Sequence, residues 1–290
     1  MSNWEKRHYE QEFFEYGEGL SAKEKALLNL PSRLNTPENA TEIKEILLSL
    51  DFVRCEGGPT LMGLVNGLPC SIEGQRRNET PQREFVVPPF YIAKYTVTNA
   101  EFELFDPNHS RTNTSKGDKN PATCMTYGKA VGFALWLSKQ TGLAFSLPTE
   151  PQYVSAVAPY GWEYPHKSEG IPDRHVQNNY KGFKDAYPDG ELGATMEVND
   201  SRVPVNHLGL THASGNVSVF TLGHYPTQGH WGSSSDGSYT VVVGGNFRLC
   251  PFGTRTVTRG IMDVTGVVDT VGIRLVHPDP EHILQKRGDR

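Results

Sequence analysis

The residues with the clearest chemical potential lie in one stretch, from Val241 to Arg259. It combines one cysteine, Cys250, with two arginines four positions apart, Arg255 and Arg259. A thiolate beside a guanidinium can meet a substrate or a metal, because the positive charge lowers the pKa of the thiol. Two arginines on one face can hold a carboxylate through paired hydrogen bonds. This stretch is therefore the first candidate for a site.

A strand, a glycine pair and a second strand are predicted to position these side chains. The β-branched run up to Val243 predicts a buried strand that breaks at Gly244 and Gly245. Glycines at a strand end let backbone approach backbone, so the next residues can form a loop folded over the sheet. Arg255 and Arg259 are expected on one face of the strand that follows.

Five side chains of this stretch are candidates for catalysis or substrate binding: Asn246, Arg248, Cys250, Arg255 and Arg259. We expect catalytic roles for Cys250, Arg255 and Arg259. We expect substrate binding by Asn246, Arg248 and Arg255. Each has a structural alternative. The cysteine can be a small buried hydrophobe, and the arginines can pair with Asp263 and Asp269 as part of the scaffold.

Histidines follow one another closely before this stretch. His207 and His212 bracket a short turn, and His224 and His230 come on the next loops. Imidazoles that arrive from neighbouring loops can build an iron site with open positions. The alternative is that they are ordinary hydrogen-bonding loop residues.

Composition narrows the functional class. The chain has 290 residues, a formal net charge of -5 and a sequence pI near 6.1, which gives no general attraction to nucleic acid or anionic membrane. No apolar run approaches the roughly 20 residues of a membrane span. The cysteines are far apart, which favours free thiols and a cytoplasmic protein, with a Cys55–Cys70 disulfide as the alternative.

The change from a charged, helical pattern to short strands and turns suggests three segments. They are a helical N-terminal extension over 1–50, one domain over 51–280 and a short tail over 281–290. We expect one helix entered from Thr98 as its cap, a second over Thr126 to Thr141 that Gly142 stops, and a third that Leu147-Pro-Thr-Glu150 opens. Residues 108–120 look polar and disordered, and 159–206 look irregular. The N-terminal helices are a candidate surface for a partner or for homo-oligomer formation.

Six short motifs occur in an order that resembles the formylglycine-generating-enzyme, or sulfatase-modifying-factor, family. They are Phe90-Tyr-Ile-Ala-Lys-Tyr-Thr-Val-Thr-Asn99, Ser146-Leu-Pro-Thr-Glu150, Val205-Asn206-His-Leu-Gly209, Ser214-Gly215-Asn216-Val217, Gly244-Gly245-Asn246-Phe247 and Gly272-Ile-Arg274-Leu. The resemblance implies an α+β, C-type-lectin-like fold, with a small twisted antiparallel sheet, flanking helices and long loops. The family includes copper- and iron-dependent oxidoreductases and members that only bind ligands, so the fold does not settle function.

Departures from the family pattern bear on the cofactor. The copper enzymes carry two cysteines on the loop after the glycine pair, whereas this chain has Cys250 and an arginine at 255, which does not make a Cu(I) site. The loop looks nearer to the sulfoxide-synthase and pyoverdine-maturation branch. Val219 stands where the family has a carboxylate that helps to bind calcium, so a structural calcium ion is expected to be weak or absent. We expect iron ligands among four residues: His207, His212, His224 and Asn216.

Two functions remain open on these grounds. The first is a metal-dependent oxidoreductase, with non-heme iron and oxygen, that acts on an amino-acid-derived or peptide metabolite. The second is a catalytically silent lectin-like module that binds a ligand or a protein. Loss of the second cysteine favours the second function, while the retained arginines favour the first.

Overall fold

A computed structural model of the chain describes residues 40–63, 79, 82–165, 193–224, 237–249 and 251–280. Within these ranges the helices are α1 (Ala40–Ser49), α2 (Asn99–Phe105), α3 (Tyr127–Thr141) and α4 (Glu150–Val157). None of these helices has the length and apolar character needed to cross a membrane. The predicted helical extension before residue 40 and the tail after residue 280 lie outside the described residues.

The strands form small sheets that are mainly antiparallel. They are β1 (Phe52–Cys55), β2 (Gly58–Met62), β3 (Arg83–Val87), β4 (Phe90–Ala93), β5 (Ser218–His224), β6 (Tyr239–Val243), β7 (Arg259–Asp263), β8 (Val271–Gly272) and β9 (Val276–Pro278). One sheet has the order β1-β4-β9, a hairpin joins β2 to β3, and a four-stranded sheet has the order β7-β6-β5-β8. The β5–β8 pair is parallel and the other pairs are antiparallel.

Threonine caps mark where α2, α3 and α4 begin, and the cap at Thr98 is the one that the sequence predicts. Thr98, Thr126 and Thr149 have extended backbone, and each side chain accepts a hydrogen bond from a backbone N–H of the first helical turn. The caps supply partners for donors that a helix start leaves unpaired. Gly142 ends α3 in the left-handed conformation, with φ of 75°.

Two hydrophobic clusters lie on either side of the four-stranded sheet. In the first, Phe102 of α2 and Phe133 of α3 pack with ring centroids 5.5 Å apart, and Phe220 of β5 belongs to the same cluster. In the second, Tyr153 of α4 packs with Ile92 of β4 and with apolar residues of β5 and β6. Helix α4 therefore lies against the base of the loop that follows β6.

The polar stretch 108–120 is ordered, so the expectation of disorder is wrong. The Nδ2 of Asn99 donates to the carbonyls of Ser115 and Gly117, both at 2.9 Å. Arg111 binds both carboxylate oxygens of Glu103, at 2.6 and 2.7 Å. These partners lie on α2, outside the stretch itself, and local composition does not reveal them.

The chain after the glycine pair also differs from the prediction. A short 3-10 helix, Pro251–Thr254, follows the loop, and β7 begins at Arg259. Arg255 precedes the strand, so the two arginines do not share a strand face. Their environments are separate, as their contacts confirm.

Candidate functional site

The loop after β6 starts with a turn that has no room for side chains. Gly244 and Gly245 have φ of 89° and 66°. A Cβ at Gly244 would lie 2.3 Å from the hydroxyl of Tyr153, and one at Gly245 would lie 2.6 Å from the carbonyl of Gly253. Both conformation and space therefore require glycine at these positions.

The segment 211–217 runs beneath this turn and is tied to it through backbone groups. The N–H of Gly215 donates to the carbonyl of Gly244 at 2.7 Å, and the N–H of Phe247 donates to the carbonyl of Asn216 at 2.9 Å. These bonds hold the turn on the segment that leads into β5. They fix the direction in which the loop leaves the sheet.

Two side chains complete the base of the loop. The Oγ of Ser214 donates to the carbonyl of Thr254 at 2.6 Å, and the hydroxyl of Tyr153 donates to the carbonyl of Ala213 at 2.8 Å. Burial raises the pKa of Tyr153 to about 12, so its hydroxyl keeps its proton at neutral pH. These two hydrogen bonds hold the base of the loop in place.

Asn246 and Arg248 form the outer part of the loop. The Nδ2 of Asn246 donates to the Oγ of Ser218 at 3.1 Å, and its Oδ1 accepts from the N–H of Arg248 at 3.1 Å. Asn246 is 9% exposed, so it shapes the loop from within. We therefore assign to this asparagine a structural role in presenting Arg248.

The guanidinium of Arg248 is accessible, and its position is set by neighbours on three segments. It lies 5.4 Å from the centre of the Phe247 ring and donates to Asp269, whose other contacts include the hydroxyl of Thr114 at 2.9 Å. The Arg248 side chain is 48% exposed, against 22% for Asp269. A half-exposed, oriented guanidinium can bind a carboxylate.

A thiol that the sequence analysis did not single out lies near this ion pair. Cys124 is half-buried, and its N–H donates to the carbonyl of Val268 at 2.9 Å. Burial raises the pKa of the Cys124 thiol, the Asp269 carboxylate raises it further, and Arg248 acts in the opposite direction. Cys124 is therefore a thiol rather than a thiolate at neutral pH.

Arg255 is buried and paired with a carboxylate from a distant part of the sequence. Its Nη2 donates to both carboxylate oxygens of Glu79, each at 2.9 Å, and the two side chains are 2% and 1% exposed. The predicted alternative partners, Asp263 and Asp269, are not the ones it uses. In this arrangement the guanidinium is shielded from solvent and cannot meet a substrate.

Arg259 is paired in a similar way with Glu150, at the start of α4. Its Nε and Nη2 donate to the two carboxylate oxygens at 2.7 and 2.8 Å. Burial raises the pKa of the Glu150 carboxyl, and the Arg259 guanidinium opposes that rise. The pair joins β7 to α4, so the structure assigns Arg259 to the scaffold.

Arg274, which lies in the last of the six motifs, is completely buried. Its two terminal nitrogens donate to the carbonyls of Ala93, Lys94, Thr211 and His212 at 2.6 to 3.2 Å. Burial lowers the pKa of Arg274 to about 10, which leaves it charged at neutral pH. This guanidinium ties β4 to the segment 211–217.

The expected iron ligands do not come together in the described part of the chain. His207 is exposed, whereas His212 is buried and its Nε2 lies 3.0 Å from the carbonyl of Glu197. Burial lowers the pKa of His212 to about 4. The backbone of His224 lies in β5, and its side chain lies outside the described residues, as do Cys250 and His230.

The side chain of Asn216 forms two hydrogen bonds with the backbone of Met196. Its Oδ1 accepts from the N–H of Met196 at 2.9 Å, and its Nδ2 donates to the carbonyl of Met196 at 3.2 Å. Val219, expected to weaken a calcium site, is 1% exposed within β5 and offers no side-chain oxygen. Among the described residues, no three His, Cys, Asp or Glu side chains form a group fit for a metal.

The described residues therefore do not fit the iron centre that the sequence suggested. Three features of the structure are not evident from the sequence: the role of Glu79, the pairing of Asp269 with Arg248, and the position of Cys124. Glu79 lies 176 positions from Arg255, and no local pattern connects them. The sequence suggests Asp269 as a partner for Arg255 or Arg259, whereas the structure pairs it with Arg248.

Residues 40–278 match the family described as sulfatase-modifying factor enzyme 1-like domain. The chain belongs to this family. This match confirms the family resemblance that the six motifs indicate. The matched region begins at Ala40, the first residue of α1.

Solved structures show the same sulfatase-modifying-factor fold. PvdO from Pseudomonas aeruginosa has 21% identity and a TM-score of 0.62, with 78% of this chain and 94% of that chain covered. Treponema denticola variable protein 1 has 14% identity and the same TM-score and coverage. CarF has 19% identity and a TM-score of 0.59, with 79% and 98% covered. The sequence has no close match among curated proteins. The C-type-lectin-like α+β fold is thus confirmed.

Proposed function

We propose that this protein is an oxidoreductase that binds an amino-acid-derived or peptide metabolite at the outer face of the Gly244–Leu249 loop. The observation that carries the proposal is the state of Arg248. Its guanidinium is half-exposed, while the loop beneath it is fixed by paired backbone groups. A preorganised cation on a rigid base lowers the ordering cost of binding.

Arg248 suits a ligand with a carboxylate. Its planar guanidinium offers several N–H donors, and Asp269 engages one terminal nitrogen. Thr114 also donates to Oδ2 of Asp269, the oxygen that Arg248 binds, so the aspartate orients the arginine and stays in place when a ligand arrives. The carboxylates of amino acids and of peptide C-termini match this group.

The proposed reaction removes two electrons and two protons from the ligand. Dioxygen takes up both electrons and both protons to give hydrogen peroxide, which balances the reaction. Iron is our proposed cofactor on grounds of family resemblance, and the described residues do not supply its ligand set. We therefore derive no step through iron from the described side chains.

A second candidate function is a catalytically silent binding module on the same loop. It is favoured by one observation: Arg255 and Arg259, two expected catalytic residues, are both consumed by buried ion pairs with Glu79 and Glu150. A family member that had lost its chemistry would keep such pairs for stability. Both functions use Arg248 to bind the ligand, and they differ in turnover.

The experiment uses the full chain, reconstituted anaerobically with iron, copper or calcium in parallel. Metal content and dioxygen uptake are measured with a panel of amino-acid-derived carboxylates and short peptides. Arg248→Ala is compared with Arg202→Ala, since Arg202 is an exposed arginine that pairs with Asp200 elsewhere. We expect ligand-dependent uptake in the iron sample that Arg248→Ala weakens and Arg202→Ala leaves unchanged. Saturable binding without uptake in any sample would overturn the oxidoreductase proposal in favour of the binding module.

A further inference from the structure

Some buried polar atoms have no hydrogen-bond partner within the protein. Among the described residues these side-chain atoms are Thr96 Oγ1, Asn99 Oδ1, His109 Nε2, His212 Nδ1, Arg274 Nε and His277 Nε2. A buried polar group without a partner costs free energy, so each such atom calls for an explanation. Three of them belong to Arg274, to His212, whose carbonyl Arg274 binds, and to Thr96, which lies between Lys94 and Val97.

Arg274 is the centre of this set. Its Nη1 donates to the carbonyl of Lys94 at 2.6 Å, and its Nη2 donates to the carbonyl of His212 at 3.2 Å. The N–H of Val97 donates to the carbonyl of Ile273 at 2.8 Å, next to Arg274 in the chain. Thr96 therefore lies on a short stretch that is tied on both sides to Arg274 and its neighbour.

The unpartnered atoms of these three residues have complementary hydrogen-bonding roles. The Nε of Arg274 carries a hydrogen and can donate. Since the Nε2 of neutral His212 faces the carbonyl of Glu197, the ring hydrogen lies on Nε2 and Nδ1 is an acceptor. The hydroxyl of Thr96 can serve in either role. A bridging group must therefore both accept and donate.

We infer that an ordered water molecule is buried between Thr96, His212 and Arg274, where it accepts from Arg274 Nε and donates to His212 Nδ1. Thr96 Oγ1 supplies its third hydrogen bond. Buried waters in proteins make about three hydrogen bonds to polar groups that have no other partner. This water joins the entry of α2, the buried guanidinium and the segment 211–217 in one network.

Other occupants fit these atoms less well. A metal cation would face the positive charge of Arg274 and a nitrogen that carries a hydrogen, which cannot act as a ligand. An inorganic anion would accept from Arg274 but would meet the lone pair of His212 Nδ1. The water also holds His212 as a neutral Nε2–H imidazole, which removes it from the candidate iron ligands.

Thr96→Val tests the inference through the sign of its effect. If the hydroxyl bonds a buried water, its loss lowers the Tm, by about 2–4 °C for a net hydrogen bond in a domain of this size. If the hydroxyl has no partner, replacing it by a methyl group leaves the Tm unchanged or raises it. Thr221→Val calibrates the scale, because the hydroxyl of Thr221 donates to the carbonyl of Val241 at 2.9 Å.

A high-resolution crystal structure of the wild-type protein provides the direct readout. We expect a density peak within hydrogen-bond distance of all three atoms, refined as water, which is lost or displaced in Thr96→Val. An empty space, or a peak with the scattering of chloride, would overturn the inference. This measurement is independent of whether the protein catalyses a reaction.

Discussion

The buried pair between Arg259 and Glu150 predicts a specific stability defect. Arg259→Met removes both hydrogen bonds to the carboxylate, whose side chain is 11% exposed. Breaking a buried ion pair at one partner typically costs about 3–5 kcal/mol, because a buried charge is left without compensation. Burial already favours the protonated form of Glu150, so the carboxyl can take up a proton. We therefore expect the lower end of that range, about 3 kcal/mol.

Equilibrium unfolding in urea at pH 7 measures this cost, and a double-mutant cycle identifies its origin. Glu150→Leu should also destabilise the fold, since it removes the carboxylate that balances the buried charge of Arg259. The double variant carries no buried charge at this place, so it should cost clearly less than the sum of the single changes. The coupling then belongs to the pair itself.

The pH dependence of the Arg259→Met variant supplies a second signature. Without Arg259, the pKa of Glu150 in the folded protein lies above its value in the unfolded chain, because burial raises it. The folded state then binds more protons, so the variant loses stability as pH rises through that pKa. The defect should be larger at pH 8 than at pH 5. Additive costs in the cycle, or a defect that does not vary with pH, would refute the scaffold assignment of Arg259.

Two further predictions concern buried histidines and the glycine turn. Burial lowers the pKa of His212 and of His277 from 6.5 to about 4, so the unfolded chain takes up these protons before the folded protein does. The free energy of unfolding should therefore fall as the pH drops below 6.5, by about 2 kcal/mol per histidine at pH 5. A free energy of unfolding that stays level between pH 8 and pH 5 would contradict this. Gly245→Ala should lower the Tm more than Gly161→Ala. Both glycines have positive φ, but a Cβ would meet close neighbours at Gly245 and none at Gly161. Equal shifts of the Tm in a thermal unfolding scan would show that these contacts do not matter.

Local chemistry made parts of the fold predictable. A threonine followed by a helix-forming stretch marks a helix start whatever the rest of the chain does, and Thr98, Thr126 and Thr149 all act as caps. The pair Gly244 and Gly245 likewise marks the end of a buried strand, because such a tight turn excludes side chains. These features depend on a few neighbouring residues.

The partners of the arginines could not be predicted in the same way. Arg255 meets Glu79 and Arg259 meets Glu150, over separations of 176 and 109 positions. A charged residue in the sequence does not reveal whether its partner is a substrate or a distant carboxylate. The sequence therefore favours Arg255 and Arg259 for catalysis, whereas the structure places both in buried ion pairs.

The sequence also does not reveal which of the candidate side chains a ligand can reach. Asn246, Arg248 and Arg255 are equally plausible ligand contacts in the sequence, yet in the described structure the half-exposed side chain among them is that of Arg248. The sequence of residues 108–120 likewise does not reveal that this stretch is ordered, because its hydrogen-bond partners lie on α2. The roles of Cys250 and of the N-terminal extension stay predictions, because Cys250 and residues 1–39 lie outside the described residues.

Dioxygen consumption by the iron-reconstituted protein tests the central claim most directly. The account predicts uptake that depends on an added amino-acid-derived carboxylate or short peptide, at a rate that Arg248→Ala lowers when the ligand is below saturation. A ligand that binds at Arg248 with no dioxygen consumed would contradict oxidation and leave a binding module in its place. Uptake that Arg248→Ala does not change would contradict the location of the site.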